Sequence, residues 1–326
     1  MPANLSPEYK AAEEEFRQAR DPQAKLACLE RMLATIPKHK GTEKMQADLK
    51  RRIARMREEM QKSGGKKGFS VTVEKEGAAQ VALVGAPNSG KSSLLESVTN
   101  ARAEVADYPF STRTPVPGML IFENVQFQLV DLPPVSEEYM EPWVTDIIRA
   151  AHAALWVIDA ADATLERQVQ EVERLLAQKK IELVAAEQAG KPHDAVRRLP
   201  ALVVATKADL PEHRGGREWL VGKFQNRLPV LSFSALGEHT RELGQAIFDM
   251  CRIVRVYSKV PGKEPDLSRP FVMHRGDTVL DFAMQVHKDF AEKLQYARVW
   301  GKGKFEGQRV QRDQLLEDGD VIELHI

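Results

Sequence analysis

The chain has little cysteine, no long apolar run and no net charge, and each absence narrows what it does. Its two cysteines, Cys28 and Cys251, lie far apart and form no metal-ligand spacing. They read as buried or inert thiols. No stretch of about eighteen apolar residues is available to span a bilayer. The start, MPANLSPEYK, lacks the basic-then-apolar order of a secretory signal. The expectation is a soluble cytoplasmic protein with no membrane partner. Lys plus Arg and Asp plus Glu both number 47, so whole-chain charge points to no ligand. With 326 residues and 43% hydrophobic content, the chain can bury a substantial core and form two or three structural units.

Charge is nevertheless uneven. Between Lys38 and Lys67 the basic residues, dense around Lys50, Arg51, Arg52, Arg55 and Arg57, outnumber the acids Glu43, Asp48, Glu58 and Glu59. Residues from about Pro7 to Lys62 read as two helices. Asp21-Pro22 supplies a cap and first-turn proline, and Pro37 to Gly41 breaks the pattern. Met45, Leu49, Ile53, Met56 and Met60 form one apolar stripe, expected to pack on Phe16, Leu26, Leu29 and Leu33. The basic residues then lie outward, as a solvated face or as a contact for RNA.

The flexible Ser63 to Gly68 stretch closes this basic helical hairpin, residues 1–67. Beyond it, apolar strands at Gln80–Val84, Val125–Leu129, Ala153–Ile158, Leu202–Ala205 and Val230–Ser232 alternate with helices starting near Lys91, Pro142, Thr164 and His239. That order predicts a mostly parallel, doubly wound sheet over residues 68–262, with a charged helix from Thr164 to about Gln188 covering it. The proline-punctuated Val260 to Pro265 reads as a linker. Residues 263–326 then form a small α+β module with strands near Phe271–His274, Tyr296–Val299, Gln308–Val310 and Val321–His325, and a capping box at Thr278 and Asp281.

The chemistry concentrates between Gly85 and Asp209. Gly85-Ala86-Pro87-Asn88-Ser89-Gly90-Lys91-Ser92 follows an apolar strand and opens a helix, with Ser93 in its first turn. This is the context a phosphate-binding loop requires. Its amides and the helix N-terminus offer positive charge, Lys91 reaches the β- and γ-phosphates, and Ser92 presents its hydroxyl to Mg2+. After strand 202–205, Thr206-Lys207-Ala208-Asp209 places a carboxylate able to accept the N1 and exocyclic amino hydrogens of guanine, and Ser234-Ala235-Leu236 supplies a second contact with the base. Lys207 can lie along the base. Thr206 stands where guanine-binding proteins most often carry Asn, which predicts a weaker brace or base contact. GTP and GDP are therefore the expected ligands, with an ATPase of similar architecture as the rival.

Between these anchors, Tyr108 to Pro115 is a candidate switch segment. Thr112 is the first choice to complete the magnesium shell and Thr114 its competitor. Asp131-Leu132-Pro133-Pro134 occupies the place of a D-x-x-G motif, with Asp131 holding the metal through water. Pro134 lacks the N–H that glycine gives to the γ-phosphate, and Val135 cannot orient a water. Asn88 either helps to hold a monovalent cation such as K+ near the phosphates or only braces the loop. Lys91, Thr112 and Asn88 make up the expected catalytic set.

With those residues in place, the chain resembles the Obg-like translation-factor GTPases, most closely the developmentally regulated GTP-binding (DRG) proteins. The resemblance rests on the segment Ile36 to Lys44, on Asp107-Tyr108-Pro109-Phe110-Ser111-Thr112, and on a tail with Tyr296-Ala297-Arg298-Val299-Trp300-Gly301 that looks like a TGS domain, a β-grasp module. It implies magnesium-dependent and often potassium-assisted GTP hydrolysis, association with ribosomes or translating complexes, and the metal-binding Thr at Thr112. Two departures stand out. Pro134 replaces the switch glycine, and the interval from Asp159 to Thr206 is too short for the extra domain that DRG proteins insert. The expected fold class is α/β: a P-loop (Ras-like) GTPase domain with an N-terminal helical hairpin and a C-terminal β-grasp (TGS-like) module. The expected function is slow GTP hydrolysis at a ribosome or RNA, open to a protein regulator. The alternative is a nucleotide-binding ribosome adaptor with negligible hydrolysis.

Overall fold

The computed structural model describes residues 72–100, 114–137, 140–225, 227–237 and 239–326, with scattered positions between Tyr9 and Ile53. It divides into two units, Met1–Ser70 and Val71–Ile326. In the first, the described residues are helical except Ile36, a bend, and Tyr9, Leu29, Met32, Ile36, Leu49 and Ile53 are buried together, with Phe16, Leu33 and Met45 against them. The expected stripe therefore packs inward as far as Ile53. Lys50, Arg51 and Arg52 are exposed on the other face. Met56, Met60 and Leu26 lie outside the described residues.

The second unit carries two sheets, and its elements are numbered from β1. The larger sheet contains β1 (Ala79–Val84), β2 (Val116–Phe122), β3 (Val125–Asp131), β4 (Ala153–Asp159), β5 (Ile181–Val184), β6 (Arg197–Thr206) and β7 (Val230–Ser232). The strands run in the order β2-β3-β1-β4-β6-β5, with β7 also beside β6. All pairs are parallel except β2 with β3. β1 and β4 are buried at every position, as strands covered on both faces must be. One face packs on α1 (Lys91–Val98) and α5 (Thr240–Met250). The other packs on α2 (Pro142–Ala150), α3 (Leu165–Gln178) and α4 (His213–Phe224).

The helix expected to run to Gln188 ends at Gln178. The chain reverses at Lys180, whose φ is 57°, and Ile181 to Val184 pair with Arg197 to Pro200. Periodic charge in α3 had masked a short apolar strand. β6 accordingly begins at Arg197, before the expected Leu202. The whole interval from Asp159 to Thr206 is occupied by α3, β5, a 3-10 turn and β6, which leaves no room for an inserted domain.

The smaller sheet has the order β11-β10-β12-β8-β9, formed by β8 (Ile253–Ser258), β9 (Phe271–His274), β10 (Tyr296–Trp300), β11 (Gln308–Val310) and β12 (Asp320–His325). Helix α6 (Val279–Val286) starts at the Thr278/Asp281 capping box, and α7 (Lys288–Lys293) follows. β8 lies upstream of the expected boundary at residue 263, yet it pairs with β9 and β12. Residues 260–265 are thus a loop within this sheet, because β8 acquires its partners only from residues far downstream.

Candidate functional site

The loop 85–92 leaves β1 where its neighbours β3 and β4 diverge in the chain order, the switch point at which open α/β sheets bind ligands. Its shape dictates its residues. A Cβ on Gly85 would sit 2.3 Å from the Val157 carbonyl oxygen and 2.7 Å from Ser89 Oγ. Gly90 caps α1 with φ 91°, and Asn88 has φ 58°, a left-handed conformation that Asn tolerates better than most residues.

Lys91 is buried, and its ammonium donates to the carbonyls of Ala86 (3.0 Å) and Gly85 (3.2 Å). Burial pulls its pKa down to about 8, opposed by the charge of Asp131. Ser92 Oγ donates to Asp131 Oδ2 at 2.6 Å. Burial raises the Asp131 pKa, against the Ser92 bond and the Lys91 charge. Asp131 Oδ1 is buried with no hydrogen-bond partner, an arrangement that costs free energy unless a cation or donor arrives. Ser93 is exposed one residue further along α1.

The segment after Asp131 is packed down. Residues 132–135 are buried, and the Val135 amide donates to the Gly85 carbonyl at 2.9 Å. Pro134 has no amide hydrogen, so neither residue 134 nor residue 135 offers a free N–H to a ligand here. Thr112 lies outside the described residues, as does the segment 107–112. Thr114 is exposed just ahead of β2.

The second cluster sits at the ends of β6 and β7. Thr206 is buried, and its hydroxyl is within hydrogen-bond distance of the Ser89 carbonyl (2.8 Å) and the Ile158 carbonyl (3.1 Å). The brace between this cluster and the phosphate loop, expected to be weak, is therefore present through a hydroxyl. Ser234 Oγ donates to Asp209 Oδ1 at 2.6 Å, the main reason that the exposed Asp209 carboxyl titrates below its ordinary range. The Leu236 amide in turn donates to Ser234 Oγ at 3.2 Å, while the side chains of Ala235 and Leu236 are exposed.

Sequence reasoning missed two members of this site. Asp159, at the end of β4, pairs with Lys207 Nζ at 2.5 Å and accepts from the Ala161 amide. It holds Lys207, whose φ is 59°, beside Asp209. The signal was an aspartate closing an otherwise apolar strand. The Val135 amide bond is the other, and no side-chain pattern announces it.

Residues 80–187 match the family model described as 50S ribosome-binding GTPase, and residues 254–326 match the TGS domain. The chain is 30% identical to an uncharacterized GTP-binding protein of Methanocaldococcus jannaschii, over 91% of each chain. It is 29% identical to developmentally-regulated GTP-binding protein 1 of Xenopus laevis, over 92% of this chain and 98% of that one. Among solved structures, Era of Aquifex aeolicus bound to GDP.AlF4- shares 21% identity over 68% of this chain and 71% of that one, with a TM-score of 0.42.

Proposed function

The chain belongs to the developmentally regulated GTP-binding protein family, and from that premise we propose that it hydrolyses GTP slowly, with Mg2+, in association with a ribosome or RNA. The observation that carries the reading is the buried set Lys91, Ser92 and Asp131 beneath the loop 85–90. Lys91 is desolvated and bonded only to neutral loop groups, so triphosphate oxygens would supply the counter-charge it lacks. Loop amides hold the remaining phosphate oxygens, and the Thr206–Ser89 bond keeps the loop in register with the base pocket. Asp209 accepts the guanine N1 and amino hydrogens, pre-oriented by Ser234, with Lys207 along the base and Ala235 and Leu236 at its edge.

The residues fit a magnesium ion. Asp131 has a buried, unpartnered oxygen, and Ser92 Oγ lies against its other oxygen. Among the described residues no group of three His, Cys, Asp or Glu side chains converges, so the ion would take its remaining ligands from phosphates, water and Thr112. When bound, it neutralises charge developing on the transferred phosphoryl group. Water attacks the γ-phosphorus in line as the bond to the β,γ-bridging oxygen breaks, releasing GDP and inorganic phosphate; Lys91 stabilises the spreading charge, and the Asn88 side-chain oxygen would help to hold K+ beside the phosphates. Hydrolysis is slow because Val135 has neither a side chain to orient water nor a free amide.

That same amide bond favours a second reading, a nucleotide-binding ribosome adaptor with negligible turnover. Single-turnover assays with GTP and Mg2+, in potassium or sodium and with or without ribosomes, separate the two. Hydrolysis above a Lys91→Ala control, accelerated by potassium or ribosomes, supports a GTPase. No excess over the control in any condition supports the adaptor, and fast turnover without potassium or partner refutes the slow mechanism. ATP binding equal to GTP in calorimetry would overturn the base assignment.

A further inference from the structure

Resting on the guanine reading just proposed, we infer that this site leaves N7 of the base unread and that Thr206 is the reason. Guanine nucleotides whose position 7 offers no acceptor are then ligands of the same standing as GDP and GTP. Guanine presents donors at N1 and the exocyclic amine, and acceptors at O6 and N7. Asp209 takes the donors and the Ala235 amide serves O6. Next round the ring comes N7, beside C8, on the side of the base that faces the 5′-phosphates when base and sugar are anti.

Thr206 stands on that side. It closes β6 just before Asp209, and its side chain lies against the phosphate loop. Its hydroxyl is 2.8 Å from the Ser89 carbonyl oxygen, and a Cβ on Gly90 would meet that hydroxyl at 3.4 Å and the threonine methyl at 3.5 Å. The Ile158 carbonyl oxygen lies 3.1 Å away on the other side. Both neighbours are acceptors only, and Thr206 is 4% exposed, so its single hydrogen points at one of them or is shared between them. Turning it toward N7 would break the bond that ties the base cluster to the phosphate loop.

An asparagine at this position differs in count and in reach. A carboxamide nitrogen carries two hydrogens, so one can hold the loop while the other meets a base acceptor, and it stands one bond farther from the backbone than a threonine hydroxyl. Threonine keeps the brace and has no hydrogen left for the base. The neighbouring donors are engaged as well: Lys207 with Asp159 at 2.5 Å, Ser234 with Asp209 at 2.6 Å, and the Ala208 amide with the Phe233 carbonyl at 3.0 Å. An acceptor that leaves water and meets no donor weakens binding, so replacing N7 by a C–H group should cost nothing here and can help.

The test is calorimetric titration of the full-length protein with GDP, 7-deaza-GDP and ADP in the presence of Mg2+. Wild type should bind 7-deaza-GDP within about twofold of GDP, or more tightly. Thr206→Asn supplies the missing donor, and in that variant 7-deaza-GDP should bind about threefold to tenfold more weakly than GDP. Taking the ratio of the two ligands within each protein cancels any general loss from repacking the buried position, and comparing the ratios cancels any difference in stacking between the two bases. Thr206→Ser, which keeps a single hydroxyl, should keep the wild-type ratio. A wild type that prefers GDP by about threefold or more overturns the inference, whichever donor reads N7, and leaves the guanine reading standing if ADP binds more weakly still. An unchanged ratio in a Thr206→Asn variant that binds GDP places N7 out of reach of residue 206 and overturns the role given to Thr206. ADP binding as tight as GDP binding overturns the guanine reading and this inference with it. If Thr206→Asn binds neither guanine ligand, the ratios of wild type and Thr206→Ser decide: near equality sustains an unread N7, and a preference for GDP in wild type refutes it.

Discussion

The buried ammonium of Lys91 makes nucleotide affinity depend on pH in a direction the structure fixes. In the empty protein its pKa is about 8, against 10.5 for an ordinary lysine. Phosphate oxygens favour the charged form, so the complex holds the proton over the whole range in which the free protein loses it. Above pH 8, binding must take up a proton. Between pH 7 and pH 8.8, below the range in which guanine sheds its own N1 proton, affinity for GDP should fall about sevenfold, the ratio of deprotonated to protonated free protein plus one. The empty protein should do the opposite. Its native lysine pKa lies below the unfolded one, so the unfolded chain binds more protons between about 8 and 10.5. Stability therefore rises with pH through that window, by about 3 kcal/mol if the window is fully traversed. Titration calorimetry in two buffers of different ionisation enthalpy measures both the affinity and the proton uptake. A flat affinity across this range, with no proton taken up at pH 8.8, would refute the claim that Lys91 is the desolvated group that meets the phosphates.

Three further outcomes follow from named contacts. Asp209→Asn should cost GTP about tenfold to a hundredfold in affinity, through loss of charge-assisted bonds to the base, and should narrow the preference over ATP; an unchanged preference in calorimetry would place base recognition elsewhere. Thr206→Val removes a buried hydroxyl that reaches the Ser89 and Ile158 carbonyls and should destabilise the protein by about 1–3 kcal/mol, read as a shifted urea midpoint, and weaken GDP binding with it. Arg255 of β8 joins Glu123 and Asn124 of the β2–β3 turn to Asp318 beside β12. Arg255→Ala should lower stability by about 2 kcal/mol, discounted from a fully buried pair because the partners are partly exposed; a variant melting like wild type would show that this joint contributes nothing.

What was legible in the sequence was whatever local backbone geometry forces. Gly85 and Gly90 occupy positions that a side chain would obstruct or strain, so the loop announces itself through composition. Thr278 and Asp281 announced their capping box in the same way. Elements that depend on distant partners were not legible. β5 is four residues long and follows a charged helix with no proline or glycine between them. β8 reads as the approach to a linker until β12, more than sixty residues later, pairs with it. The same limit applied within the site. Asp209 was readable from its spacing, whereas the link from Asp159 to Lys207 needs β4 and β6 laid side by side.

The substitution at Pro134 takes on more meaning with the backbone in view. Sequence alone says that one donor is missing. The packing adds that the next donor, the Val135 amide, is spent on Gly85, and that residues 132–135 are buried against the loop they would have to leave. For the γ-phosphate to draw this segment toward itself, the Val135–Gly85 bond would have to break and buried apolar surface would have to be exposed, both of which oppose differential affinity between GTP and GDP. The turn at the far end of β2, Glu123–Asn124, is gripped by Arg255 at the start of the TGS module. β2 thus joins the phosphate side of the sheet, at Val116 opposite Asp131, to the module at Glu123–Asn124.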